Sequence, residues 1–141
     1  MVDWTMLLMF AGLFVVIGGL EAAGVDRDAI KWIGVERLAN PITLSVVVTI
    51  LSNLVSNVPA VLLFRPIFPA LGGAEQTALI ISAVSTLAGN LTVVGSIANL
   101  IVIEQARRRG VSITFWEYLK VGVPVTLLTI AIGLVMIEGG L

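Results

Sequence analysis

Four long uncharged stretches dominate the pattern of hydrophobic and polar positions along the chain, and bands of charge separate them. The first stretch runs from Trp4 to Leu20 and the last covers 121–137. About 20 apolar residues, folded as a helix, cross the ~30 Å hydrocarbon core of a bilayer. We therefore predict membrane-spanning helices at 4–25 and 118–137, with Pro124 tolerated in the first turn of the last apolar helix.

The band 26–39 between the first two stretches holds basic and acidic residues in equal number. Ile30, Ile33 and Leu38 give this segment a rough apolar side. An apolar side combined with charge is typical of an amphipathic helix that lies along the membrane surface, and we predict one at 26–39. A solvated loop fits the same pattern equally well.

The second stretch, 41–64, is long enough to span a membrane, but its middle is polar and Pro59 follows. A proline removes a backbone donor and disfavours the helical conformation for the residue before it, here Val58. We predict a re-entrant hairpin at 41–71 and keep a full span as the alternative. The hairpin consists of a first arm at 41–55, a polar tip at 56–58 and a return arm at 59–71, and each arm is too short to cross alone.

The third stretch, 77–103, is divided near its middle by the pairs Gly89-Asn90 and Gly95-Ser96. Glycine tolerates the irregular backbone that a break in a helix requires. We predict a broken spanning helix at 77–106, with halves near 77–88 and 97–106.

Orientation follows from the basic residues, because Lys and Arg prefer the cytoplasmic side of a membrane. The run Arg107 to Arg109 therefore indicates a cytoplasmic loop, from which the last helix runs outward. With a hairpin at 41–71 the segment 26–39 lies outside, whereas with a full span it is cytoplasmic. The charge rule favours the full span, and the polar middle of the stretch favours the hairpin.

Composition strengthens the membrane interpretation. Of the 141 residues, 58% are hydrophobic and 12% are charged, whereas about a quarter of the residues of a soluble domain are charged. The mean hydropathy is +1.09. We predict an all-α, multi-pass protein of the plasma membrane with about three spanning helices, and with the lipid bilayer as its first partner. The net charge of −1 gives no indication of nucleic-acid binding.

Catalytic chemistry finds little support in the sequence. The chain has no Cys and no His, and it carries no GxSxG, HExxH or Walker motif. We therefore expect neither an enzyme, nor a cofactor, nor a bound transition metal. A Na⁺ or H⁺ that couples transport is a separate question, and Na⁺ at Asn57 and Asn90 is kept open.

The two interrupted stretches are the candidate functional site. Irregular backbone survives in a membrane only where it is buried in protein or lines a watery cavity. Carbonyl and carboxamide oxygens suit Na⁺, helix N-termini suit an anion, and secondary transporters build sites from such broken helices. An alternative is that the polar residues only hold helices together. The predicted site residues are Ser56, Asn57, Gly89, Asn90, Thr92, Gly95, Ser96 and Asn99.

Arg65 is the one basic residue in an apolar neighbourhood. A charge inside a membrane is by default a functional candidate, and attraction of an anionic substrate is one interpretation. Snorkelling to the membrane interface is the other.

The segments SNLVSNVPAVLL and AGNLTVVGSIANLIVIEQA, some thirty residues apart, resemble the arsenite/citrate-type ion transporter superfamily. That superfamily includes the arsenical pump permeases, the citrate transporters and the divalent-anion:sodium symporters. The opening MLLMFAGLFVVIGGLEAAGV resembles the helix before the hairpin in those proteins, so the resemblance covers essentially the whole chain. It implies two inverted repeats, each with a re-entrant hairpin and a broken helix, of which this chain resembles the second.

The resemblance also implies roles for the two interrupted stretches. Ser56-Asn57 matches the start of a Ser-Asn-Thr motif at the hairpin tip, where the tip binds substrate and helps to hold sodium. Val58 stands here in place of the threonine, so one hydroxyl is missing and dicarboxylate specificity is in doubt. The stretch 89–99 matches the loop of the broken helix that completes the ion site.

Together these observations predict secondary active transport of an inorganic oxyanion or a carboxylate, coupled to Na⁺ or H⁺. The chain would be a fragment, a split-gene product or a self-assembling half, incomplete without an N-terminal repeat or a second copy. The rival hypothesis is a small structural or assembly protein of the membrane. Substrate, coupling ion and direction of transport stay open.

Overall fold

The computed structural model describes residues 4–24, 34–72 and 75–140, and every regular element in those ranges is helical. This confirms the predicted all-α class. The α-helices are α1 (Trp4–Ala22), α2 (Val35–Leu38), α3 (Pro41–Val55), α4 (Asn57–Phe64), α5 (Glu75–Ala88), α6 (Ile97–Arg108) and α7 (Phe115–Glu138). Two 3₁₀ helices cover Arg65–Leu71 and Val93–Gly95.

Within the described ranges, α7 is the helix whose length and hydropathy suffice to cross a membrane. Its 24 residues correspond to about 36 Å at 1.5 Å per residue. The helix begins at Phe115, earlier than predicted, because Thr114 and Glu117 form a capping box: each side chain bonds the other residue's backbone N–H. Pro124 consequently lies inside α7 and not in its first turn, which corrects that expectation.

The segment 41–71 reverses direction. The first arm, α3, follows directly after α2, and the return arm consists of α4 and the 3₁₀ helix Arg65–Leu71. That 3₁₀ helix contacts α2, and α4 contacts α3. Since the end of the return arm lies beside the start of the first arm, the segment is a helical hairpin whose tip is at Ser56.

The tip of this hairpin is narrower than the sequence suggested. Ser56 alone separates α3 from α4, and Val58 is helical although Pro59 follows it. Pro59 stands in the first turn of α4, where the amide hydrogen that proline lacks would have no helical partner. The predicted tip at 56–58 and return arm from 59 are thus wrong by two residues, because the proline begins the second helix and does not break the first.

The third uncharged stretch forms two helices, α5 and α6, separated by residues 89–96. Within this connection only Val93–Gly95 makes a short 3₁₀ turn. The predicted halves near 77–88 and 97–106 agree with α5 and α6 to within two residues at each end.

The core lies where α5 packs against the hairpin. Helix α5 contacts both α3 and α4 and also rests on α7, while α1 contacts α4. The buried apolar side chains come mainly from these facing surfaces: Leu38, Leu44, Val48, Phe64, Ile67, Leu71, Ile80, Ile81 and Val84. Many apolar side chains on the outer faces are exposed, such as Leu127 and Leu128 of α7, as expected where lipid is the solvent.

The predicted interfacial helix at 26–39 falls largely outside the described residues, which resume at Gly34. The part that is described is the single turn α2, followed by Asn40, whose side chain accepts hydrogen bonds from Ile42 N (2.9 Å) and Thr43 N (3.2 Å) to cap α3. This cap fixes where the first arm of the hairpin begins.

Candidate functional site at two helix breaks

The two helix breaks lie against each other. A Cβ atom added to Gly89, at the end of α5, would lie 3.2 Å from Asn57 Oδ1 and 3.3 Å from Asn57 Nδ2. The carboxamide at the hairpin tip therefore packs directly on the backbone of the second break, and glycine permits this approach. Residues that are 32 positions apart in the sequence form one local structure.

Asn53 joins the hairpin to the second break by hydrogen bonds. Its Nδ2 donates to Ala88 O at 2.9 Å and to Thr49 O at 3.0 Å, and its Oδ1 accepts from Thr92 Oγ1 at 2.9 Å. Ala88 is the last residue of α5, and its carbonyl accepts from Leu91 N of the loop at 3.0 Å. The Asn53 side chain is its second donor and at the same time orients Thr92.

Ser52 makes a second link between the two breaks. Its fully buried hydroxyl lies 2.7 Å from Ser85 O and 2.9 Å from Asn57 Oδ1. A hydroxyl has one hydrogen to donate, and a carboxamide can rotate by 180° with little change in shape. Both contacts are satisfied when Ser52 donates to Ser85 O and the Asn57 amide nitrogen donates to Ser52.

Asn99, in the first turn of α6, fixes the loop from its other side. Its Nδ2 donates to Gly89 O at 2.8 Å and to Thr92 O at 3.2 Å. Together with Asn53 it provides donors for three backbone carbonyls of the second break, those of Ala88, Gly89 and Thr92. Ala88 O and Thr92 O also accept from the backbone, from Leu91 N at 3.0 Å and Gly95 N at 3.1 Å. Among the described residues Gly89 O therefore depends on Asn99 alone, and leaving it unpaired in an apolar environment would cost about 1–3 kcal/mol.

Two further glycines permit close packing around this loop. A Cβ on Gly95 would lie 2.5 Å from Asn53 Oδ1 and 2.9 Å from Gly89 O. On α7, a Cβ on Gly122 would lie 2.6 Å from Asn90 O and 2.9 Å from Leu91 O. The loop is therefore enclosed between the first arm of the hairpin and α7, with no room for a methyl group at either position.

The two helices that begin at the breaks differ in their N-termini. At the start of α6, the Ser96 hydroxyl accepts a hydrogen bond from Ala98 N at 3.3 Å. At the start of α4, Ser56 makes no side-chain cap, and its backbone has φ 77° and ψ 162°, a region that favours glycine. No hydrogen bond among the described residues uses the N–H of Asn57 or Val58.

A cavity of about 220 Å³ opens beside the hairpin tip. Asn57 and Val58 line it from α4, and Ser82, Ser85 and Thr86 line it from α5. The Thr86 hydroxyl is occupied by Ser82 O at 2.9 Å, whereas the Asn57 side chain lies between the cavity and the second break. The tip is thus accessible to a small solute from this side.

The structure brings together most of the predicted site residues, but not all. Asn57, Gly89, Thr92, Gly95 and Asn99 share one network of contacts, and Ser96 and Ser56 stand at the starts of the two helices. The Asn90 side chain is exposed and makes no hydrogen bond with any residue that the structure describes, and only its carbonyl touches α7. Asn90 therefore does not belong to the network through its carboxamide.

Four residues of the site were not predicted: Ser52, Asn53, Ser85 and Gly122. For the first two a signal existed, because Ser52-Asn53 and Ser56-Asn57 repeat the same pair four residues apart and so share one helical face. Ser85 contributes only its backbone carbonyl, and Gly122 only its missing side chain. Neither contribution has a signature in the sequence.

No group of three or more Asp or Glu side chains suited to a metal ion occurs in the described part of the chain. The polar atoms at the breaks are instead carboxamides, hydroxyls and backbone groups. Such a set binds hard monovalent ions or small polar solutes by hydrogen bonds and dipoles rather than by strong coordination.

Comparisons with known proteins agree with the geometry. The family model described as "Citrate transporter" matches residues 1–79, which is more than half of the chain. The chain is 38% identical to a silicon efflux transporter of Oryza sativa subsp. japonica, over 96% of this chain and 31% of that protein. It is 39% identical to a putative transporter named arsB of Dictyostelium discoideum, over 94% of this chain and 24% of that protein.

An uncharacterized transporter of Mycobacterium bovis is 35% identical, over 93% of this chain and 33% of that protein. The chain thus spans between a quarter and a third of the length of these relatives. No solved structure matches it. The predicted resemblance to the arsenite/citrate-type superfamily is confirmed, and the chain belongs to the citrate transporter family of membrane proteins.

Proposed function

We propose that this chain forms part of a secondary active transporter for a small anion, either an inorganic oxyanion or a carboxylate. The observation that carries the proposal is the meeting of two helix breaks, where Asn57 packs on Gly89 and Asn53 bonds Ala88 O. Broken helices that meet in this way are the usual construction of a carrier site. The names of the relatives, a silicon efflux transporter among them, support transport as the activity.

The anion would bind at the hairpin tip. The N–H groups of Asn57 and Val58 start α4 without a side-chain cap, so they are available as donors. The positive end of the helix dipole favours negative charge at the same place. The Asn57 carboxamide and the Ser56 hydroxyl would complete the contacts to the anion.

The second break would serve the coupling ion. Gly89 O accepts one hydrogen bond, from Asn99 Nδ2, and retains a second lone pair, whereas Ala88 O and Thr92 O each already accept two. Together with the oxygens of Asn57 and Asn90, Gly89 O would form a set that suits Na⁺. Coupling to H⁺ is the alternative, and ion gradients imposed one at a time distinguish the two.

The membrane topology that we propose follows from the hairpin. With α1, α7 and the pair α5–α6 crossing a plasma membrane, the hairpin 41–71 enters and leaves from one side. Because the relatives are three to four times as long as the matched region, an N-terminal repeat or a second copy of this chain would complete the site.

The test is a transport assay in proteoliposomes that contain the chain with its N-terminal partner. Labelled citrate, arsenite and silicate serve as substrates, with a Na⁺ or a pH gradient imposed separately. Asn57→Ala should lower the rate about tenfold, since one hydrogen bond to the anion is lost at the tip. The matched control is Thr129→Ala, whose hydroxyl only bonds its own helix, at Val125 O (2.8 Å) and Thr126 O (3.2 Å), and which should transport normally.

One observation favours the rival hypothesis of a structural membrane protein. The Asn53 and Asn99 amides are already used on backbone carbonyls, as helix-packing residues would be. Under that hypothesis Asn57→Ala reduces assembly with the partner, and no substrate or gradient yields uptake by the unmodified complex. Normal assembly with lost uptake supports the transporter.

A further inference from the structure

A groove runs between α4 and α5 on the side away from the second helix break. Its first part, of about 240 Å³, is lined by apolar side chains of both helices and by Arg65. It shares Val61, Leu62 and Ser82 with the cavity of about 220 Å³ beside the hairpin tip. The two form one groove, the α4–α5 groove, which extends from Arg65 to Asn57.

The lining of the α4–α5 groove has a cation at one end and apolar side chains beside it. At one end stands the exposed guanidinium of Arg65, followed by Phe64, Phe68, Ala78 and Ile81. Neither part of the groove has a carboxylate among its lining residues. A small hydrated anion that entered the apolar part of the groove would lose hydrogen bonds to water and gain none from the wall, which costs free energy. An occupant with one anionic end and an apolar remainder matches the wall and the cation together.

The length of the groove is also consistent with an extended apolar chain. Arg65 follows Asn57 by eight residues, which is about 12 Å along a helix. Helix α4 belongs to a membrane protein, so hydrocarbon chains with charged headgroups surround it at high concentration. Basic pockets between helices are known to bind anionic lipid headgroups, and arginine pairs with phosphate through two parallel hydrogen bonds.

We propose that the α4–α5 groove binds an anionic phospholipid, whose phosphate pairs with Arg65 and whose acyl chain lies along Val61 and Leu62. The bound chain ends near Asn57 and thereby braces the return arm of the hairpin against α5. The phosphate end of this site lies at Arg65, away from the hairpin tip, whereas the acyl end enters the cavity beside Asn57 that also leads to the proposed transport site. Lipid binding itself does not depend on the proposed function. It assigns to Arg65 a role in lipid binding, and not in attraction of the transported anion.

The experiment measures lipid binding to the purified chain in a neutral detergent by native mass spectrometry. Phosphatidylglycerol and phosphatidylcholine with identical acyl chains are titrated in parallel. Phosphatidylglycerol should bind more tightly, and Arg65→Gln should remove about a fivefold preference, corresponding to about 1 kcal/mol for one arginine at a membrane surface. Arg109→Gln, which removes the same charge from an exposed turn, should keep the preference.

A second variant and a third ligand test the apolar part of the site. Ala78→Phe fills the groove and should weaken both lipids, while the unfolding midpoint of the lipid-free chain identifies any general damage. Glycerophosphoglycerol and inorganic phosphate carry the charge without acyl chains and should not compete at equal concentration.

Equal binding of the two lipids would overturn the proposal. So would an equal loss of preference in Arg65→Gln and Arg109→Gln, which would indicate only the overall charge. Effective competition by inorganic phosphate would show that the site takes a free anion instead of a lipid.

Discussion

The two helix breaks differ in whether their backbone polar groups have hydrogen-bond partners. At the second break, the carbonyls of Ala88, Gly89 and Thr92 accept hydrogen bonds from the Asn53 and Asn99 side chains, and two of them also accept from backbone N–H groups. The helix that follows is capped by Ser96. At the first break a single residue, Ser56, reverses the chain in an unfavourable conformation, and the helix that follows has no side-chain cap. One break is internally satisfied, and the other keeps its donors open.

This difference indicates that one break mainly supports the fold and that the other is the better candidate for ligand binding. Because Ala88 O and Thr92 O of the second break already accept two hydrogen bonds each, this break acts mainly as a scaffold and would offer a coupling ion chiefly Gly89 O. Open donors and a strained residue at a hairpin tip are retained only where something compensates for them, and such features cluster at functional sites. The comparison therefore supports the proposal that a ligand binds at Ser56 and Asn57, and it assigns the packing of the loop to Asn53, Asn99 and the glycines.

The largest expected effect is a loss of stability on adding a methyl group to the second break. Gly95→Ala would place a Cβ 2.5 Å from Asn53 Oδ1, and overpacking of this kind costs about 1–3 kcal/mol. Unfolding in mixed detergent micelles measures the change. The matched control is Gly133→Ala on α7, whose new Cβ would meet only Leu87 Cδ1 at 3.6 Å. It should be neutral or slightly stabilising, and an equal loss in both variants would refute the close packing.

The next effect concerns the carboxamides. Asn53→Ala removes the donor to Ala88 O and the acceptor for Thr92, and should destabilise the chain by about 2 kcal/mol. Asn90→Ala removes an exposed side chain without a hydrogen bond to the described residues, and should change stability by less than about 0.5 kcal/mol. The same unfolding assay compares the two. If Asn90→Ala proved the more damaging, the assignment of scaffold residues would be wrong.

A smaller effect of opposite sign is expected at the hairpin tip. Ser56 has φ 77°, which a glycine adopts without strain, so Ser56→Gly should stabilise the chain by about 1 kcal/mol. Transport by the complete assembly should nevertheless fall, because the hydroxyl is lost. Ser56→Ala lacks the hydroxyl but keeps the strain, and should lower transport without the gain in stability. Unchanged transport in both variants would exclude this hydroxyl from the site.

The smallest effect tests the cap of α6. Ser96→Ala removes one long hydrogen bond to Ala98 N and should cost about 0.5–1 kcal/mol. Unfolding of this variant beside Ser56→Ala compares the two helix starts directly. Only Ser96→Ala should remove a helix cap. Equal losses of unfolding free energy in the two variants would mean that the two N-termini do not differ.

Much of the fold could be predicted because membrane segments follow simple rules of length and polarity. The positions of both breaks followed from Asn57, Pro59 and the pair Gly89-Asn90, which interrupt otherwise apolar stretches. The exact tip did not follow, because a proline is equally suited to ending a helix and to starting one. The structure assigns Pro59 to the start of α4.

The sequence predicted where the candidate site lies, but not which of its side chains form which hydrogen bonds. Which amide bonds which carbonyl depends on contacts such as Asn53 to Ala88, 35 positions apart, and no local pattern contains them. Asn90 and Asn99 are alike in type and setting in the sequence, yet the first is exposed and the second bonds Gly89 O. Asn99 lies in the first turn of α6, whereas Asn90 lies in the loop with its carbonyl against Gly122.

The most direct test of the account is a double-mutant cycle between the two breaks, with the free energy of unfolding as the measured quantity. Gly89→Ala would place its Cβ 3.2 Å from both Asn57 Oδ1 and Thr86 O, and Asn57→Ala should relieve the first of these two tight contacts. The double variant should therefore be more stable than the sum of the single changes predicts, by at least about 0.5 kcal/mol. Additive effects would contradict a site in which the hairpin tip and the end of α5 touch.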